Sequence, residues 1–176
     1  MSKKVFISYS HKDEYLKDEL DEHLTALRRK SVISVWHDRK ITAGDEWKEQ
    51  IDSNLESADI IIFLVSSSFI ASDYCYDIEI QRALEKQKEG SATIISIILR
   101  NCDWTDCEFA KFQVVPKDAR AITLWEDRDT AWLDAVRGLK EHISNFSPSR
   151  TVIEDKSSND LAADLISITD STMNWL

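Results

Sequence analysis

Asp59-Ile60-Ile61-Ile62-Phe63-Leu64-Val65, followed by Ser66-Ser67-Ser68, is the stretch whose reading decides the fold. It is a continuous apolar run of strand length with no polar alternation. Such a strand is buried on both faces and belongs in the centre of a parallel sheet. The loop that follows then lies at the carboxyl edge, where open α/β sheets bind ligands. Phe69-Ile70-Ala71-Ser72-Asp73-Tyr74-Cys75-Tyr76-Asp77-Ile78-Glu79-Ile80 leads from that loop into a helix. At about 100° per residue, Tyr76, Ile80, Ala83 and Leu84 share one face. Glu79 falls on the border of that stripe, away from Lys86 and Glu89 on the far side. It lies in the first turns, where free N–H groups and the helix dipole favour negative charge. A partly buried carboxylate beside a serine loop suits the stabilisation of a developing cation. The same periodicity fits an ordinary helix-border glutamate in a surface ion pair.

Outward from this centre, strands and helices alternate. Val5-Phe6-Ile7-Ser8-Tyr9 reads as a first strand. Asp13 is a candidate cap for a helix with Leu16, Leu20, Leu24 and Leu27 inward and Lys17, Asp18, Asp21 and Glu22 outward. Arg28-Arg29-Lys30 suits that helix's C-terminus. Val32-Ile33-Ser34-Val35-Trp36 is a second strand. A turn-rich segment with Gly44 follows, then a helix marked by Trp47, Ile51 and Leu55. Thr93 to Leu99 is a fourth strand, rich in β-branched residues. Residues 100–120 read as irregular, and Ala121-Ile122-Thr123-Leu124-Trp125 as a short fifth strand. Trp132, Val136, Leu139, Lys140 and Ile143 mark a last helix, capped by Asp129 or Thr130. The pattern predicts an α/β fold with a parallel sheet covered on both faces.

The composition narrows the function classes. Hydrophobic residues make up 43% of 176, enough for one domain with a sizeable core plus an extension. The formal net charge of −10 argues against extended contact with nucleic acid or anionic lipid. No apolar run reaches bilayer length and the start is not a signal peptide. Three cysteines, an odd number, suggest reduced thiols and a cytoplasmic location. Cys102 and Cys107 lack the second pair that structural zinc needs, so no metal is expected. Three glycines, Gly44, Gly90 and Gly138, form neither a Rossmann fingerprint nor a P-loop. Asp13, Asp38 and Asp59 do not fit a phospho-receiver, because Asp59 begins its strand rather than ending it. Ser8-Tyr9-Ser10 and Ser66 to Ser68 are candidates for binding sugar hydroxyls, or loop caps that satisfy backbone groups. Arg39 and Lys40 suit phosphates or a neighbouring subunit, or a solvated loop. Trp36 and Trp47 read as packing residues.

Three motifs in order resemble a bacterial Toll/interleukin-1 receptor/resistance (TIR) domain. They are Phe6-Ile7-Ser8-Tyr9-Ser10-His11-Lys12-Asp13-Glu14; Trp36-His37-Asp38 leading to Ile41-Thr42-Ala43-Gly44-Asp45-Glu46-Trp47; and Ser72 to Glu79. The resemblance covers about residues 3–146. It implies a flavodoxin-like, five-stranded parallel sheet with helices on both faces. It also implies cleavage of NAD⁺, as substrate and without a cofactor, at the nicotinamide–ribose bond. Glu79 takes the catalytic position by this resemblance. Ser8, Tyr9, Ser10, Ser66, Ser67, Tyr74 and, more weakly, Trp47 then bind substrate. Arg39, Lys40, Ile41, Gly44 and Asp45 form a loop that joins copies of the domain. Catalytic members often carry Trp four residues before the glutamate. Here the position is Cys75, flanked by Tyr74 and Tyr76.

The expected organisation is a TIR domain over residues 1–146, a linker over 147–160 and a short helical extension over 161–176. A further, C-terminal sensor domain is expected beyond, in a larger immune or antiphage-defence protein. The expected activity is that of an NAD⁺ nucleosidase effector, a glycohydrolase or a cyclase, switched on by self-assembly and dormant as an isolated domain. The alternative is a non-catalytic TIR–TIR interaction module. A third reading is a nucleoside-processing enzyme of similar fold.

Overall fold

The computed structural model describes residues 2–37, 53–72 and 79–149. The central run forms β3 (Ile60–Val65), and all six of its residues are buried. Its odd and even positions divide between two cores. Ile60, Ile62 and Leu64 join one cluster, and Ile61, Phe63 and Val65 the other. Period-two side-chain alternation with a covered face on each side leaves no position for a polar residue.

Around β3 stand β1 (Lys3–Ser8), β2 (Ile33–His37), β4 (Thr93–Ile98) and β5 (Gln113–Val115). The five strands form one sheet in the order β2-β1-β3-β4-β5, with every pairing parallel. The strand–helix alternation predicts such a covered parallel sheet, and the order is the flavodoxin-like one that the family resemblance implies. The order reverses between β1 and β3, so the crevice of such a sheet opens at their carboxyl ends.

On one face lie α1 (Glu14–Arg29) and α5 (Arg128–Asn145). Leu16, Leu20 and Leu24 are fully buried against Val5, Ile7 and Trp132. Each such leucine contributes roughly 1.5–3 kcal/mol of burial. Trp132 keeps its indole N–H satisfied by Glu19 Oε2 at 2.7 Å. On the other face lie a helical segment over 53–57 (α2), α3 (Ser67–Ile70) and α4 (Gln81–Glu89). Phe63, Phe69 and Phe109 pack there with ring centroids 5.6–6.2 Å apart.

The fifth strand is not where the sequence reading puts it. Gln113–Val115 pairs with β4, whereas Ile122–Leu124 is a 3-10 turn. Val114 and Val115 supply the β-branched pair, and Pro116 ends the strand by lacking an N–H. In the 121–125 segment Thr123 N–H donates to Leu99 O, just past β4, at 3.1 Å. The cap of α5 is Asp127, whose side chain accepts from Thr130 N, rather than Asp129 or Thr130. The two Thr130 hydrogen bonds hold the Asp127 carboxyl below the usual range.

Three charged positions also differ from expectation. Lys86 is buried, because its stem packs inward and its ammonium donates to Glu56 O at 2.6 Å. Lys17 is buried too, over the Tyr9 ring and beside Asp18 and Asp21. Asp13 precedes α1 but makes no capping bond with its side chain. Its carboxylate turns inward instead.

Candidate active site at the carboxyl edge of the sheet

Glu79 opens the turn that leads into α4, and only 4% of its surface is exposed. It is therefore not a helix-border glutamate in a surface ion pair. Ile80 and Ala83 bury the helix stripe against the core that contains Phe6 and Phe63. This packing brings residue 79 down onto the end of β1. There the Ser8 hydroxyl donates to Glu79 Oε2, and Ser8 itself is 2% exposed. Ser8 lies beside Phe63 in the β1–β3 register, at the reversal of strand order.

A second polar cluster spans the same edge. Asp13 is wholly buried. Its Oδ2 accepts from the Ser66 hydroxyl and its Oδ1 from Arg100 Nε at 2.8 Å. Arg100 Nη2 reaches Ser68 Oγ at 2.8 Å. One carboxylate thus joins the segments after β1, β3 and β4. Arg100 lies in the stretch 100–120, which reads as irregular in the sequence. Its signal was a lone cation directly after an apolar strand.

The remaining site candidates are divided among several places in the fold. Ser66 is the N-cap of α3, with its Oγ accepting from Phe69 N at 3.0 Å, so its hydroxyl is committed to the fold. Ser67 is exposed on the first turn of α3. Ser10 caps the 3-10 turn His11–Asp13 through Lys12 N. Tyr9 is buried under Lys17. Trp36 stacks on Phe6 at 5.1 Å, as a packing residue should. Tyr74, Trp47, Arg39, Lys40, Ile41, Gly44 and Asp45 lie outside the described residues, as does Cys75.

Side-chain pairs also join the described elements at the end of β2 and around α4. His37 Nε2 lies 3.1 Å from Asp21 Oδ2. Burial pushes the Asp21 carboxyl up, but the His37 hydrogen bond and the charges of His37, Arg28 and Lys17 outweigh it and hold it below the usual range. On the other side, Arg82 of α4 pairs with Glu56 of α2 and with Glu85. The Arg82 hydrogen bonds lower the Glu56 carboxyl. Among the described residues, no three His, Cys, Asp or Glu side chains cluster as metal ligands.

Comparison with known proteins places this geometry in context. The TIR domain family profile matches residues 5–139. A protein of Sinorhizobium fredii (strain NBRC 101917 / NGR234), uncharacterized protein y4lF, is 50% identical over 137 residues. That match takes in 78% of this chain but 42% of the relative, so the chain spans less than half of that protein. The crystal structure of the TIR domain of the Toll-related receptor TRR-2 from Hydra magnipapillata superposes with a TM-score of 0.54. It is 23% identical, and the match covers 80% of this chain and 98% of that one. At that identity the likeness speaks to the fold alone.

Proposed function

The chain belongs to the TIR domain family, and on that premise we propose that it is an NAD⁺ nucleosidase with Glu79 as its catalytic residue. The observation that carries the reading is a glutamate 4% exposed at the strand-order reversal, held by a buried hydroxyl. Open α/β sheets take their ligands at such a reversal.

One carboxylate is enough for this chemistry. Glycosidases pair two, one of which protonates the leaving group. In NAD⁺ the bond from ribose C1′ to the pyridinium nitrogen breaks with its electron pair going to nitrogen. Nicotinamide leaves neutral and needs no proton. The ribose becomes oxocarbenium-like, and an ionised Glu79 stabilises that charge from a fixed position. Water then adds to C1′ and releases one proton, giving ADP-ribose. Removal from bulk water strengthens the attraction between carboxylate and cation.

The domain acts in this reading as the effector of a larger cytoplasmic defence protein, beside a sensor domain. It works when copies assemble through the loop that contains Arg39, Lys40, Ile41, Gly44 and Asp45. Among the described residues, no helix is long and apolar enough to cross a membrane. The test is nicotinamide release from NAD⁺ by protein brought into assembly. Glu79→Gln keeps the shape and removes the charge, and turnover should fall by about 100-fold or more. Unchanged turnover in Glu79→Gln would remove Glu79 from the mechanism.

A second reading, a non-catalytic TIR–TIR interaction module, draws on Cys75 at the position where catalytic members often have Trp. It also draws on the exposed apolar side chains Tyr15, Leu124 and Leu133. Retained binding between copies with no NAD⁺ turnover in the native assembly would select it.

A further inference from the structure

The geometry points to Ser8 as the positioning residue of Glu79, a holder of the carboxylate rather than a hydrogen-bond donor to the substrate. The inference rests on the reading of Glu79 as the catalytic group. It changes what Ser8 does within that reading.

Register decides which way Ser8 faces. Val5 and Ile7 belong to the core under α1, and Phe6 to the core under α4. With a period of two, Ser8 shares the face of Phe6. That is the face on which Ile80 and Ala83 seat α4. A serine there meets the first turn of the α4 segment, which Glu79 opens. Packing alone does not ask for serine. The strand is apolar from Val5 to Ile7, and at 2% exposure a small apolar side chain would fill the same place. A hydroxyl so deeply buried is destabilising unless it is hydrogen-bonded. Its partner is Glu79 Oε2.

A serine hydroxyl has one proton and two lone pairs. The proton of Ser8 goes to the carboxylate, so Ser8 cannot also donate to a ribose oxygen. The hydrogen bond has two effects on Glu79. It restricts the rotation of a side chain with three free torsions. It also favours the ionised form, since a donor to a carboxylate stabilises the anion. Both effects act on the rate of bond cleavage and neither on substrate affinity.

The test combines kinetics with a readout that needs no turnover. Three variants are compared in assembled protein: Ser8→Ala, Ser8→Cys, which keeps the shape with a weak donor, and Ser8→Thr, which keeps the hydroxyl. Ser8→Ala and Ser8→Cys should lower kcat for nicotinamide release by about 10- to 100-fold, the usual effect of losing one charge-assisted hydrogen bond. KM should stay within about twofold, because no substrate contact is removed. The acid limb of the pH–rate profile should move to higher pH, and Ser8→Thr should restore both rate and profile. In parallel, the Glu79 carboxyl carbon is titrated by NMR in chain labelled at glutamate. Its midpoint should rise in Ser8→Ala and Ser8→Cys and return in Ser8→Thr.

A raised KM with kcat unchanged would overturn the inference and make Ser8 a substrate ligand. So would an unmoved Glu79 titration. If the titration moves as expected while wild-type protein releases no nicotinamide, the contact stands and the NAD⁺ reading fails. If Ser8→Ala does not fold, Ser8→Cys carries both measurements with the packing retained.

Discussion

Asp13 and Arg100 show how one buried charge is held at the edge of the sheet. Asp13 has no exposed surface, while the Arg100 side chain is one-third exposed. The two partners are therefore not equivalent. Removing Arg100 strands a carboxylate that cannot reach water, whereas removing Asp13 leaves a guanidinium that can. Arg100→Ala should destabilise the chain by about 3 kcal/mol, read from the urea midpoint. Adding Asp13→Asn should recover much of that loss, because Asn keeps an oxygen for the Ser66 hydroxyl and carries no charge. A double variant no more stable than Arg100→Ala alone would contradict this account. Glu79 and Ser8 follow the same rule, in that a buried carboxylate is paired with a buried hydroxyl donor.

At the level of elements, α5 and β5 meet at a glycine. A methyl group at Gly138 would stand 2.6 Å from Val115 Cγ1, closer than packed atoms approach. Two effects of Gly138→Ala oppose each other. Alanine in a helix interior gains about 1 kcal/mol over glycine. Overpacking a tight contact costs about 1–3 kcal/mol. The contact is with a β-branched side chain that has little room to turn, so the cost should win by about 1 kcal/mol. Adding Val115→Ala should relieve the clash and leave the double variant with a higher melting temperature than Gly138→Ala. A Gly138→Ala protein more stable than wild type would show that β5 yields. Gly90 has a different reason to be glycine. It ends α4 at φ 70°, the left-handed cap that bonds back to Lys86 and Gln87.

On the scale of the whole molecule, the formal charge is −10. Copies of such a chain repel one another, so any assembly needs local attraction to overcome the field. Arg39 and Lys40 are cations in the loop that the family resemblance assigns to assembly. Arg39→Ala should weaken self-association, seen in sedimentation, while the melting temperature stays within about 1–2 °C. Turnover should fall in step with assembly. Wild-type sedimentation and turnover in that variant would take Arg39 out of the interface. His37 and Asp21 meet at 3.1 Å, and Arg82 pairs with Glu56. These pairs join β2 to α1 and α2 to α4.

The order of elements, the two-faced burial of β3 and the inward leucines of α1 were legible in the sequence. They depend on local periodicity, and hydrophobic spacing reports which side of an element is covered. Glu79 was legible as a border position and, through the family motif, as a candidate. Its depth was not, because burial depends on how closely α4 seats against Phe6 and Phe63, a contact between residues far apart in the chain. The same holds for Asp13, which looked like a helix cap. Only folding brings Ser66 and Arg100 to it, 53 and 87 residues away. The fifth strand was misplaced because Ala121 to Trp125 and Gln113 to Val115 are both short and apolar. Gln113 to Val115 is the one that pairs with β4, and that pairing joins residues far apart in the chain. Patterning along the chain determined the layers. Long-range packing decided which polar groups meet at their edge.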